Sequence, residues 1–211
     1  MAVKMLLLNA PLTPPILYSE SSTFYYRHPT TTRESVPVRV HHLASKFQPT
    51  TCELQLLRVG VATSPVTVVH VYRPQWMSTV SSFVDELADI IAVLTSECSD
   101  IIVCGDMNCP GPNDSSVDVE LSECFESLGL TQLVTEPTRR LPTVANLHDV
   151  FASSSTALVD KVKVVDVDCL SDHCLMTADV VRVPKPVITY TSRNIRDVER
   201  TTWVSVIHSA G

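Results

Sequence analysis

The chain has 211 residues, 45% of them hydrophobic and 18% charged, with a formal net charge of −7. That is enough length and apolar content for one substantial domain, and the acidic balance excludes a protein that grips nucleic acid by bulk positive charge. No stretch approaches the roughly 18 apolar residues of a membrane-spanning helix, so no membrane partner is expected.

Residues 1–35 are rich in Pro, Ser, Thr and Tyr without a sustained period and read as irregular; Met5-Leu6-Leu7-Leu8 is too short for a secretory core. From Val36 the pattern changes. Val36 to Val40 alternates, and Cys52 to Val61 and Val66 to Tyr72 are β-rich stretches separated by the turn signal Ala62-Thr63-Ser64-Pro65. These predict adjacent antiparallel strands. Ser82-Phe83-Val84-Asp85 reads as a helix cap, and Phe83, Leu87, Ile90, Ile91 and Leu94 follow helical spacing. That helix leads into the apolar run Ile101 to Cys104, a buried strand. Leu121, Phe125 and Leu128 predict a second amphipathic helix, stopped by Gly129. Short strands are expected near 130–134, 148–153, 162–168 and 173–180. The domain spans 36–183, and 184–211 is a linker or tail.

Seven cysteines are scattered along the chain, as in an intracellular protein with reduced thiols. Cys104 and Cys109 bracket one polar element, and Cys169 and Cys174 bracket another. Their four-residue gaps fit a zinc site only loosely, and they read as small hydrophobes.

Two polar elements carry the chemistry. Gly105-Asp106-Met107-Asn108 follows the buried strand, and side chains two apart in extended chain point the same way, so Asp106 and Asn108 can address one reacting group. Ser171-Asp172-His173 sets an acid beside an imidazole ahead of the apolar stretch Cys174-Leu175-Met176. Acid, amide, acid and imidazole at strand ends suit metal-assisted attack on a phosphodiester. Each element alone has a plainer reading. Gly-Asp-x-Asn is a common turn, His173 a hydrogen-bonded structural residue, Tyr72 an edge-strand aromatic, and Asp149 part of a polar loop.

Five segments then occur in order: Val71-Tyr72-Arg73-Pro74, Cys104 to Asn108, Leu133 to Arg139, Asn146 to Phe151, and Ser171 to His173. This series resembles the endonuclease/exonuclease/phosphatase superfamily, in the branch carried by LINE-type non-LTR retrotransposons. The resemblance runs from Thr30 to Ile188. It implies an α/β fold, a β-sandwich of two mixed sheets flanked by helices, here lacking the first strands. It also implies Mg²⁺-dependent hydrolysis of DNA phosphodiester bonds, with Mn²⁺ as the other candidate ion. Carried over, Asp106 orients the attacking water, Asn108 helps hold water and phosphate, and His173 donates to a phosphate oxygen. Asp149 fixes the imidazole tautomer, Tyr72 reaches the phosphate or leaving oxygen, and Asp172 is a metal ligand. The implied partners are a weakly held DNA target strand and, in a complete element, a reverse transcriptase domain. The implied location is the nucleus.

The departures from the family pattern bear on activity. The family's domain opens with an Asn-bearing strand and a Glu-bearing strand, and no such pair is legible; Glu20 and Glu34 stand in irregular sequence. Gln75 replaces a proline, and His148 replaces an apolar residue before the family's Asp. Mg²⁺ is held by only one or two carboxylates, so the loss of one predicts weak binding, and missing strands predict an unpaired sheet edge. The leading reading is a truncated or diverged endonuclease domain whose activity is weak or lost. The alternative is a catalytically inactive remnant acting as a nucleic-acid or protein-binding module. A third reading is a phosphatase or exonuclease of small substrates, since one fold hosts many chemistries.

Overall fold

A computed structural model describes residues 2–7, 38–60, 65–167 and 171–181. Glu20, Glu34, most of the turn at 62–65, Cys169 and the tail at 184–211 lie outside the described residues. The described strands, in chain order, are β1 (Ala2–Leu7), β2 (Val38–Val40), β3 (Glu53–Val59), β4 (Val66–Tyr72), β5 (Ile101–Asp106), β6 (Thr131–Gln132), β7 (Arg139–Leu141), β8 (Val144–Asn146), β9 (Asp149–Ser153), β10 (Val159–Val165) and β11 (Leu175–Val181). Two α-helices, α1 (Val80–Glu97) and α2 (Val119–Ser127), and two short 3-10 turns at Ala44–Lys46 and Thr156–Leu158 complete the order of described elements.

The main sheet has six strands in the order β2-β3-β4-β5-β9-β6, with β4 and β5 parallel and its other pairs antiparallel. A parallel pair needs a crossover, and α1 supplies it. The centre of this sheet is buried on both faces: every residue of β5 and β9 is buried, and all of β4 except Tyr72. Such strands read as unbroken apolar runs, which is why they were legible. A second sheet, β1-β11-β10, is antiparallel among its described strands. Met176, Ala178 and Val180 of β11 belong to the same core as Val150 and Phe151 of β9, so the two sheets share one interior.

Phe83, Val84, Leu87, Ile90, Ile91 and Leu94 form the buried stripe of α1, each worth about 1.5–3 kcal/mol if fully removed from water. The cap lies three residues before the predicted one. The Thr79 hydroxyl accepts from the Ser82 backbone N–H at 3.2 Å, leaving Ser82 inside the first turn. In α2, the Asp118 carboxylate accepts from Glu120 N–H at 2.9 Å. Gly129, at φ +68°, ends it as expected.

Two expectations are corrected. Residues 1–35 read as irregular, yet Ala2–Leu7 pairs along its length with β11, Leu7 lying opposite Met176. The pairing partner, 169 to 179 residues away in the chain, supplies the order that the local pattern did not. The hairpin of β7 and β8 was not foreseen, because its strands are only three residues each and Pro142-Thr143 between them is not a signature hairpin turn.

Candidate active site

The site is assembled at one end of the main sheet by register. Glu53 lies opposite Tyr72, Tyr72 opposite Asp106, and Asp106 opposite Asp149, so one row crosses β3, β4, β5 and β9. Gly105 makes the central approach possible. Its φ is +132°, and a Cβ there would lie 2.0 Å from the Val71 carbonyl oxygen. Only glycine fits. The glycine before Asp106 therefore serves the packing of β5 on β4.

Beyond β5 the chain turns sharply. Asn108 adopts φ +49°, a left-handed conformation that asparagine tolerates. Its backbone N–H donates to Asp106 Oδ1 at 3.1 Å, and its side-chain Nδ2 donates to Asp106 Oδ2 at 3.1 Å and to the Arg73 carbonyl at 2.9 Å. The Arg73 carbonyl can only accept, which fixes the carboxamide orientation. Oδ1 consequently faces His148 Nδ1 at 2.9 Å and Gln75 Nε2 at 3.4 Å, and His148 must be the donor there. Asn108 thus locks Asp106 in place.

His173 is paired with Arg139 in an isolated antiparallel bridge and points inward, its side chain 16% exposed. Its Nδ1 is 2.9 Å from Asp149 Oδ2, and its Nε2 is 4.0 Å from Asp106 Oδ2. Asp149 is wholly buried. Its position is set by Thr138, whose hydroxyl accepts from the backbone N–H groups of both His148 and Asp149, at 3.0 and 2.8 Å. Asp106, Asp149 and His173 each present a ligating atom within 4.8 Å of the others.

The electrostatics follow from this crowding. Burial, then the charge of Asp149, pushes the Asp106 carboxyl up to about 7. Burial works against a charged His173, but the hydrogen bond and charge of Asp149, with Asp106 and Asp172 beyond, hold it above its usual value. Burial, then the charges of Arg139 and His173, holds His148 below it. Tyr72 is pushed up by burial, Asp106 and Glu53. Two buried acids, one straining to keep a proton, form a site short of positive charge. A divalent cation suits it: hard oxygen ligands and one imidazole nitrogen are at hand, and binding would release the Asp106 proton.

Of the residues singled out in the sequence, the structure brings Asp106, Asn108, Asp149 and His173 together, with Tyr72 beside Asp106 in register. Asp172 lies to the side, its carboxylate 2.8 Å from Arg139 Nε and 42% exposed. That hydrogen bond holds Asp172 below the usual carboxylate range. No cysteine belongs to the ligating cluster among the described residues, and Cys104 and Cys174 are free and buried. Cys109 is a buried thiol pushed up to about 11 by burial.

Four contributors were not assigned a role from sequence. Arg73 is buried, and its Nη1 donates to the carbonyls of Met107 and Asn108 at 3.3 and 3.1 Å. Thr138 and His148 act as described above. Glu53 heads the row, and burial pushes its carboxyl up. The hairpin register counted from the Val59–Val66 pair places Glu53 opposite Tyr72, a signal available in the sequence.

A two-sheet α/β sandwich with Asp, Asn, Asp and His gathered at strand ends defines the endonuclease/exonuclease/phosphatase class. Comparison with known proteins narrows it. A family model described as endonuclease-reverse transcriptase matches residues 66–177, from the start of β4 into β11, and the chain belongs to that family. The fold is that of the endonuclease domain of TRAS1, a telomere-specific non-LTR retrotransposon (19% identity, TM-score 0.54, covering 69% of this chain and 67% of that one). More distant are a 3′-5′ exonuclease, NExo, from Neisseria meningitidis (15% identity, TM-score 0.49, covering 68% and 70%) and D. rerio TDP2 complexed with a single-strand DNA product (12% identity, TM-score 0.46, covering 71% and 68%). No curated protein sequence is significantly similar to the chain.

Proposed function

We propose that this domain hydrolyses DNA phosphodiester bonds with a divalent cation, Mg²⁺ in the first instance, as the endonuclease of a non-LTR retroelement. The observation that carries this reading is the convergence of Asp106, Asp149 and His173 within 4.8 Å. Asp149 holds His173 with its proton on Nδ1, which aims Nε2 at the space beside Asp106. With its proton affinity raised by Asp149 and Asp106, His173 can donate from Nε2 to a phosphate oxygen as negative charge builds. Asp106, held by two hydrogen bonds from Asn108, is placed to orient water and take its proton. Tyr72, its phenol kept protonated, offers a donor on the other side of Asp106. Asp106 and Asp149 are the carboxylates through which a cation would be held, and Asp172 would join them only by leaving the Arg139 guanidinium. Such an ion supplies polarisation of the phosphate and stabilisation of developing charge, worth several kcal/mol.

A second reading is supported by two observations. Both Asn108 Nδ2 hydrogens are engaged inside the protein, and Asp172 is tied to Arg139, so two of the family's contacts are diverted. On that reading the domain binds nucleic acid without cutting it.

Nicking of supercoiled plasmid DNA in Mg²⁺ and in Mn²⁺ separates the two. Weak nicking, stronger with Mn²⁺, that disappears in Asp106→Ala and His173→Ala supports hydrolysis. DNA binding without nicking in either ion supports the silent module.

A further inference from the structure

We propose that Trp76 is a stacking platform for a nucleobase next to the phosphate held at the Asp106–His173 site. The proposal rests on the DNA-cleaving reading above and adds how the flanking strand is gripped. Trp76 is 85% exposed, the most exposed of the large hydrophobic residues described. A lone exposed aliphatic side chain is ordinary, but an indole held in water at the rim of a site is a large, flat contact surface left open.

Its position is fixed from both sides. Gln75, the preceding residue, reaches Asn108 Oδ1 at 3.4 Å, which puts the turn against the candidate site. Met77 N–H donates to the Pro74 carbonyl at 3.0 Å and closes the turn. The buried Arg73 braces it from below, donating from Nε to Ser78 Oγ at 3.3 Å and from Nη2 to the Ser78 carbonyl at 2.7 Å. Ser78 Oγ in turn donates to the Thr51 carbonyl at 3.0 Å, and Thr79 caps α1. The indole therefore projects from a stiff turn, so less freedom is lost when it engages a ligand.

The chemistry of the segment selects the occupant. Residues 73–79 contain an arginine and no acid in a chain of net charge −7, so the approach of phosphates meets no carboxylate from this turn. The apolar surface, Trp76 with a half-exposed Met77, is the size of one base and far short of a stable protein–protein interface. Stacking accepts any base, because every base has a π-face. The platform therefore favours unpaired or frayed DNA over an intact duplex.

The test uses the full chain with Trp203→Phe, leaving Trp76 as the reporting indole, and no added divalent ion. Titration with a short, fluorophore-labelled single-stranded DNA should quench Trp76 fluorescence saturably, and the anisotropy of the label gives the affinity of every variant, including those without an indole. Trp76→Ala should weaken binding about 5- to 150-fold, Trp76→Tyr should retain most of the affinity, and a strand with abasic positions should bind intact Trp76 as poorly as the normal strand binds Trp76→Ala. Equal binding by Trp76→Ala, or equal quenching by the abasic strand, overturns the platform. Quenching together with nicking that persists in Asp106→Ala and His173→Ala would keep the platform and remove the cleavage reading. Nicking that needs both residues, with rate and affinity untouched in Trp76→Ala, would do the reverse.

Discussion

Asp172 and His173 are neighbours in sequence and opposites in environment. His173 turns inward between two buried carboxylates, whereas Asp172 turns outward onto the half-exposed Arg139. In extended chain adjacent side chains leave opposite faces, so a motif written as three consecutive letters divides between the site and its rim. What joins a residue to the site here is register across strands, as in the row Glu53, Tyr72, Asp106 and Asp149. The inward cluster should govern reaction and pH response, and the outward pair should matter little.

The largest effects should come from the inward cluster itself. In whichever metal supports nicking, Asp106→Ala and His173→Ala should each lower the rate by about 10²–10⁴, the range for a positioned acid or base. Asp149→Asn should fall in the same range, because an amide can offer its N–H to Nδ1 and reverse the imidazole tautomer. Plasmid-nicking rates on folded variants measure this, and a variant that keeps its rate removes that residue from the assigned site.

Next is the brace shared by the site and the Trp76 turn. Arg73→Met keeps much of the volume but leaves the carbonyls of Ser78 and Asn108 without this donor, and that of Met107 with only the Cys109 thiol. At about 1–3 kcal/mol for each buried group left unsatisfied, urea denaturation should show a clear loss of stability. Unchanged stability would mean that water replaces the guanidinium at no cost.

The pH response should be smaller and of predictable sign. Asp106 is raised to about 7 in the fold, so its contribution is full below its unfolded value and is lost as pH rises toward about 7. His173 is also raised; its contribution is full below the ordinary histidine value and is lost as pH climbs through the higher folded one. Both act in the same direction. Without divalent ions, the melting temperature should be lower at pH 8 than at pH 6, and Asp106→Asn should flatten that slope. Added Mg²⁺ or Mn²⁺ should stabilise more at pH 8, where no proton competes for Asp106. A melting temperature that rises over this range would contradict the cause given for both shifts.

The strands buried on both faces were legible because there burial and apolar runs coincide, as in Ile101 to Cys104; β2, β3 and β10 were anticipated as well, although much of each is exposed or only partly buried. The strands that were missed owe their form to partners distant in the chain. Ala2–Leu7 is ordered by β11, and the short hairpin of β7 and β8 pairs without a signature turn. The same division holds at the site. Asp106, Asn108 and His173 stood out because their residue types suggest chemistry and their neighbours end strands. Thr138 and Arg73 act through backbone groups, and a hydroxyl receiving two amide hydrogens leaves no spacing to detect. His148 was legible only as a departure from the family pattern, and its contact with Asn108 Oδ1 arises because the chain before β9 passes the Asn108 turn.

The smallest expected effect sharpens the comparison most. If Asp172 serves chiefly to hold Arg139, a double-mutant cycle on Asp172→Asn and Arg139→Gln should give a coupling of about 0.2–1 kcal/mol, as for exposed ion pairs. Both side chains are a third or more exposed, so water and salt screen most of the attraction, and the coupling should shrink further in high salt. Metal affinity offers the decisive contrast. Asp172→Asn should weaken Mn²⁺ binding far less than Asp106→Asn, because its carboxylate is already engaged 2.8 Å from a guanidinium, which an ion would have to displace. Equal losses in the two variants would make Asp172 a metal ligand that leaves Arg139 when the ion arrives. The boundary between site and rim would then move outward by one residue.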